Sequence, residues 1–297
     1  MKPNDLNTLT LPDAPPSLAV RSFGLTDSGK VRDSNQDQFL IASLVKALQV
    51  EQTSLPQRKI RQSSHRSYLF MVADGVGGHA AGETASALAI DAVESFVLDT
   101  FQWFAKCKGR EQDQVLADFQ SALGHANARV LAEAAQQPQL HGMGTTLTLA
   151  YTLNDELFVA HVGDSRCYLG RQGLLYRLTR DHTLVEEMVR RGVLRPEEAA
   201  KHHWRHVICN AVGGDPTGIQ VEVHKVHLEG GDRVLLCSDG LTQMVPEEEI
   251  SHVLQTETEP EQACRSLLAR ANQAGGKDNI TVVVAHFRAA GQPAAAG

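Results

Sequence analysis

Cysteine, basic surplus and long apolar runs are all scarce in this chain, and each scarcity closes off a class of protein. The five cysteines, at 107, 167, 209, 237 and 264, are odd in number and form no C-x-x-C pair, which is the pattern of a reduced, intracellular protein rather than a disulfide scaffold. Lysine and arginine total 28 against 35 aspartates and glutamates, a net charge of −7, so nothing points to DNA or RNA. No apolar run approaches the roughly 18–20 residues that span a membrane, and the first residues, Met1-Lys-Pro-Asn-Asp-Leu6, lack an apolar signal core. A cytoplasmic protein that touches neither nucleic acid nor membrane is the expectation.

What the chain does have is apolar material and a set of aspartates at strand ends. The hydrophobic fraction is 42% over 297 residues, enough for a sizeable core in one large domain or two small ones. Residues 1–18 carry four prolines and read as a flexible leader; 289–297 read as a flexible tail; 19–288 form the domain between. Strands are expected at roughly 19–26, 37–42, 67–73, 145–153, 156–163, 166–170, 174–178, 219–228, 232–237 and 279–287, several joined by turns too short for anything but antiparallel neighbours. Helical stripes run through 81–104 and 112–136, with a second pair at 246–255 and 260–274. Grouped strands with paired helices define an α+β layered domain. Two segments read as insertions: a polar, cationic loop at 43–66, and a helical flap at 183–214.

The aspartates carry the chemistry. Asp74, Asp164 and Asp239 each follow an apolar run, and Asp37 and Asp278 each precede one. A single such Asp is ordinarily a turn former. Five together read as carboxylates gathered at one edge of a sheet core, whose repulsion a hard divalent cation relieves. Gly75 follows Asp74 in a strand–glycine turn–helix sequence, where its carbonyl can join the carboxylate on a metal. Gly75-Val-Gly-Gly-His-Ala80 also fits a dinucleotide fingerprint formally, but a long helix and then a second helix follow where that fold needs a strand. Arg32, just upstream of Asp37, can grip a phosphate in fork geometry; taken alone it is a surface arginine.

In order, Arg32-x-x-Asn-Gln-Asp37, Asp74-Gly-Val-Gly-Gly-His79, Gly144-Thr-Thr146, Gly163-Asp-Ser-Arg166, Ser238-Asp-Gly240 and Asp278-Asn279 resemble the metal-dependent serine/threonine protein phosphatases of type 2C in their bacterial form, over residues 20 to 287. The resemblance implies a central β-sandwich of two antiparallel sheets flanked by helix pairs, a four-layer αββα arrangement. It implies two Mn²⁺ or Mg²⁺ ions held by Asp37, Asp74, Asp239, Asp278 and the Gly75 carbonyl, with Asp164 and Asp239 at the position of a third. It also implies Arg32 on the substrate phosphate and a metal-bridging water as nucleophile. The substrates implied are phosphoserine and phosphothreonine proteins, among them a serine/threonine kinase or its targets in signal transduction, and the enzyme is expected to be a monomer. Two departures stand out. Gln36 replaces the more usual Glu, and Val76 occupies the place of a histidine proposed as general acid in many eukaryotic members. The leaving-group acid is then His79, a metal-bound water, or no specific group.

Rival readings are an inactive relative that only binds phosphoproteins and a two-metal phosphoesterase for small molecules. The complete acidic set with Arg32 argues against the first; activity on phosphopeptides against nucleotides separates the second. Two decoys are set aside: Cys264-x₅-Arg270 lies on helical spacing and reads as core, and His202 and His206 lack further zinc ligands and read as flap surface.

Overall fold

The computed structural model describes residues 18–49, 60–77, 80–100, 111–199, 201–215 and 217–289. His79 and most of the proposed leader and tail lie outside the described residues. Eleven strands form two antiparallel sheets among the described residues. One has the order β1 (Leu18–Asp27), β11 (Ile280–Ala289), β10 (Arg233–Cys237), β7 (Arg166–Arg171), β8 (Leu174–Arg177). The other runs β2 (Asp37–Gln49), β3 (Ile60–Val76), β5 (Leu147–Leu153), β6 (Glu156–Val162), β9 (Glu222–His227), with the short β4 (Gly144–Thr145) beside β3.

Alternation along each strand assigns its two faces. Phe70, Val72, Val159, Leu169, Leu236, Val283 and Phe287 point into the layer between the sheets. Met71, Leu149 and Ala160 point the other way, under α1 (Ala80–Thr100) and α2 (Glu111–Gln136), whose Ala85, Val93, Phe119 and Leu123 are fully buried there. On the opposite side Tyr168, Leu235, Val282 and Val284 pack under a second helical layer. That layer comprises α5 (Asp239–Thr242), α6 (Glu247–Thr256) and α7 (Pro260–Gln273). The four-layer αββα expectation is what the chain forms.

Cys264 lies on α7 with its thiol pushed up to about 12 by burial, the state of a core residue and not of a nucleophile. The segment 43–66 differs from its sequence reading. Residues 43–49 and 60–66 continue β2 and β3 as a long hairpin arm, pairing Ser43 with Tyr68 and Ala47 with Gln62 across a bulge; 50–59 lie outside the described residues. The reason is period two: Leu40, Ala42 and Leu44 keep packing against the helix-side core, and the charges hid that alternation. Between β8 and β9 the chain forms α3 (Leu184–Arg190), capped by Thr183, then α4 (Pro196–Ala199), and returns to bridge Ile208 with Thr183. No helix among the described residues is long and apolar enough to cross a membrane.

Candidate metal centre

Antiparallel pairing brings the aspartates to one end of the sandwich. Asp37 opens β2 directly opposite Asp74 on β3. Asp164 follows β6 at the corner where the chain passes from one sheet to the other, Asp239 follows β10, and Asp278 precedes β11. Their charges act on one another. Asp74 is raised well above the usual carboxylate range, first by burial and then by Asp37, Asp239, Asp164 and Asp278. Burial, again with neighbouring carboxylates, lifts Asp239 to about 7 and raises Asp164 well above its usual range. Asp37 rises to about 6, burial again leading and Asp278 adding to it, against a hydrogen bond from Ser238.

The backbone is shaped to let these groups converge. A Cβ on Gly75 would stand 2.3 Å from the Gly82 carbonyl at the start of α1, and one on Gly240 would stand 1.9 Å from the Asn279 carbonyl, so both positions admit only hydrogen. Thr145 and Thr146 hold Asp74: its N–H donates to Thr146 Oγ1 at 2.9 Å, and its carbonyl accepts from Thr145 Oγ1 at 2.9 Å. Ser238 joins the sheets by donating to Asp37 Oδ2 at 2.7 Å while accepting from Thr281 N at 2.9 Å. Asn279 fixes the loop that carries Arg32, donating to the carbonyls of Ser28 and Ser34 and accepting from Gln36 N. Sequence reading placed these residues inside motifs without a role; hydroxyl and amide side chains beside a strand-end Asp are the signal that finds them.

Two buried oxygens, Asp37 Oδ1 and Asp164 Oδ1, have no hydrogen-bond partner among the described residues. Orphan carboxylate oxygens this deep are costly, and oxygen-only donors suit Mg²⁺ or Mn²⁺. The residues present therefore fit a bound divalent cation. Arg32, largely exposed, lays its guanidinium on Asp278, with Nε and Nη2 each 2.8 Å from its two oxygens. Val76 is 41% exposed and offers no proton.

Beside the centre stands a second group of potential ligands, His161, His182 and Glu222, whose donor atoms lie within 4.8 Å of one another. Each already has a partner. His161 bonds Thr148 Oγ1 and the Arg180 carbonyl, and burial drops it to about 4, so it stays neutral. His182 Nδ1 accepts from Gly163 N, while the His182 backbone N–H donates to the Gly163 carbonyl at 2.7 Å. Glu222 accepts from His224 and from Arg180 N. The group braces the Gly163–Asp164 corner. Arg166 ties the same corner to the segment leading into the flap through a bidentate pair with Asp181, at 2.9 and 2.7 Å. In the flap itself, His202 and His203 stack with ring centroids 4.5 Å apart.

A two-sheet sandwich with buried, crowded aspartates at one end, oxygen-only donors and glycines admitting close backbone approach define a metal-dependent hydrolase. Residues 55–279 match the Protein phosphatase 2C family. The chain is 30% identical over 259 residues to the serine/threonine phosphatase stp of Listeria innocua serovar 6a, covering 87% of this chain and 92% of that protein. It is 36% identical to the serine/threonine protein phosphatase PstP of Mycobacterium tuberculosis, covering 91% of this chain but 45% of that longer protein. The crystal structure of the catalytic domain of PstP in complex with two manganese ions superposes with a TM-score of 0.70 at 34% identity, covering 91% of this chain and 99% of that one. The chain belongs to the protein phosphatase 2C family and is a metal-dependent serine/threonine protein phosphatase.

Proposed function

We propose that Asp37, Asp74, Asp239 and Asp278, with the Gly75 carbonyl, hold two Mn²⁺ or Mg²⁺ ions for hydrolysis of phosphoserine and phosphothreonine on proteins, and that Asp164 with Asp239 serves a third. The observation that carries this is the pair of orphan oxygens on Asp37 and Asp164, beside carboxyls of Asp37, Asp74 and Asp239 that burial and neighbouring carboxylates hold above their usual range. Bound there, the ions supply Lewis-acid polarisation of water and of the phosphoryl group. The chain's own residues do the rest. Ser238 holds the Asp37 carboxylate, and Thr145 and Thr146 hold the Asp74 backbone, so that little reorganisation accompanies binding, and Arg32 binds and orients the phosphate. A Mn²⁺-dependent assay on a phosphothreonine peptide panel, with and without chelator, tests the whole reading. Loss of turnover with chelator and recovery with Mn²⁺ support it; chelator-insensitive hydrolysis sinks it. The natural targets include a serine/threonine kinase or its substrates, and the enzyme works as a cytoplasmic monomer.

Arg32 has two partners to choose between in this reading, the Asp278 carboxylate and the substrate phosphate. Arg32→Ala should raise KM for phosphopeptide by roughly tenfold to a hundredfold, the worth of a charge-assisted hydrogen bond of about 1.5–3 kcal/mol. Because it also removes a competitor for Asp278, Mn²⁺ affinity should hold or tighten. Arg32→Lys should recover only part of KM, since an ammonium cannot form the fork. Unchanged kinetics in Arg32→Ala would return this residue to the surface.

His79, outside the described residues, is proposed as the leaving-group acid on sequence grounds. An alkoxide needs protonation and p-nitrophenolate needs little. His79→Ala should therefore slow phosphothreonine peptide by roughly 10²–10⁴ more than p-nitrophenyl phosphate. Equal losses on both substrates would assign His79 to positioning.

A further inference from the structure

The far end of the sandwich holds a cavity of about 320 Å³. It lies between the β7–β8 turn, the start of β10 and one side of α6, lined by Gly170, Leu174, Leu175, Arg233, Leu254 and Gln255 among others. The turn is tight, with Gln172 and Gly173 both at positive φ (51° and 81°). Gln255 pins it from α6 by donating to the Gly173 carbonyl at 2.6 Å. Gly170 faces Arg233 in register on the adjoining strand, and a Cβ at Gly170 would sit 3.7 Å from the Arg233 Cβ. The missing side chain leaves the space beside the arginine open.

Arg233 is the unusual group here. It is half-buried, and burial together with the nearby charge of Arg288 works against its positive form. The carboxylates of this region are committed elsewhere. Asp232 takes Arg171 in a bidentate pair, Glu229 also takes Arg171, and Glu259 takes Arg21 and Arg288. Among the described residues none pairs with Arg233. Beside it, its register partner on β11 and on the same face of the sheet, stands His286. That imidazole is 3% exposed, its Nδ1 meets the Thr258 carbonyl, and its buried Nε2 has no partner among the described residues. A desolvated guanidinium without a counter-ion is costly, and a guanidinium fork is suited to phosphate or carboxylate oxygens. Leucines 174, 175 and 254 supply an apolar wall, and the volume is at the lower end of small-molecule sites.

We propose that this cavity is a second binding site, distinct from the metal centre, for a small organic oxyanion: a phosphate monoester or carboxylate whose charged end pairs with Arg233 and whose apolar body lies on Leu174 and Leu254. Two strands run between this cavity and the metal centre. β10 begins at Arg233 and ends immediately before Ser238 and Asp239, about 20 Å away at ~3.3 Å per residue. β7 likewise runs from the Asp164 corner to the cavity.

The test uses the full chain, stripped of metal with chelator so that the catalytic end offers no divalent cation. Phenylphosphonate, benzoate and neutral benzamide are the calorimetric probes. Phenylphosphonate or benzoate is expected to bind saturably to wild type and equally to Arg32→Ala, with benzamide silent. Arg233→Gln should weaken that binding at least tenfold, the loss of a charge-assisted pair. Ser251→Asp, which sets a negative charge at the cavity wall while keeping Arg233, should do the same, and circular dichroism checks that both variants fold. Anion binding unchanged in both folded variants overturns the proposal, as does the absence of saturable binding of either anion to wild type. Binding lost in Arg32→Ala would place the probe at the catalytic end and overturn it equally.

Discussion

Asp239→Asn should abolish phosphopeptide turnover, with kcat falling about 10³-fold or more, while making the metal-free protein more stable at pH 8. The first effect follows from removing a proposed shared metal ligand, which supports several kcal/mol of transition-state stabilisation. The second follows from the raised acid. Asp239 is held near 7 in the folded state, against about 4 when exposed. A raised acid contributes stability below its unfolded value and loses it as pH climbs through the folded value. At pH 8 the metal-free wild type therefore carries an unrelieved carboxylate that asparagine removes. A gain of about 2–8 °C in Tm is expected, from a difference on the order of 1–2 kcal/mol in a domain this size. A folded Asp239→Asn protein with near-normal turnover would end the metal assignment. One that is active-site dead but no more stable than wild type at pH 8 would show that Asp239 is not electrostatically crowded.

Metal removal should have a pH-dependent cost of the same origin. Asp37 near 6 and Asp239 near 7 set the window: between the unfolded value near 4 and these folded values the unfolded chain has given up protons that the folded protein retains, so their share of metal-free stability falls across about pH 4 to 7. His161 and His286, each held near 4 by burial, oppose this, because a lowered base loses its stability contribution as pH falls below its unfolded value. The clean measurement is thus the increment from metal at each pH. Saturating Mn²⁺ at a hundred times Kd adds about 2.7 kcal/mol. At pH 5 the ion must displace protons from the raised acids, so affinity drops and the same Mn²⁺ concentration should give little stabilisation. A Tm increment from Mn²⁺ that is equal at pH 5 and pH 8 would contradict the raised acids.

Much of this centre was legible in the chain because its aspartates are marked by what adjoins them. Asp74, Asp164 and Asp239 each follow an apolar strand; β3 and β6 both pair antiparallel with β5 and so end at the same edge, and Asp37 opens β2 opposite Asp74. The helix pairs were legible for a similar reason, with Ala85, Val93, Phe119 and Leu123 falling on single stripes. What escaped was long-range or masked by charge. Arg32 meets Asp278 across 246 positions, and Ser238 meets Asp37 across 201, separations over which no periodicity carries information. The β2–β3 arm was hidden because lysines and arginines recur through its sequence, while Ala42 and Leu44 keep the helix-side face apolar. His182 gave no sign that both its backbone and its ring would grip Gly163.

The place of β11 in its sheet has a consequence for the order of events during synthesis. β11 lies between β1 and β10, pairing Leu18 with Ala289 and Arg233 with His286. The first strand of the domain to leave the ribosome thus waits for the last before that sheet can close. Until then the apolar faces of β1 and β10 have a strand-wide gap between them, and Asp278, at the head of β11, has not arrived beside Asp37 and Asp239. A nascent or prematurely terminated chain is left with unpaired sheet edges that invite aggregation and with an incomplete set of carboxylates. Assembly of the carboxylate cluster is in this way tied to the arrival of β11, so a chain that stops short of that strand lacks both the sheet's middle pairing and Asp278.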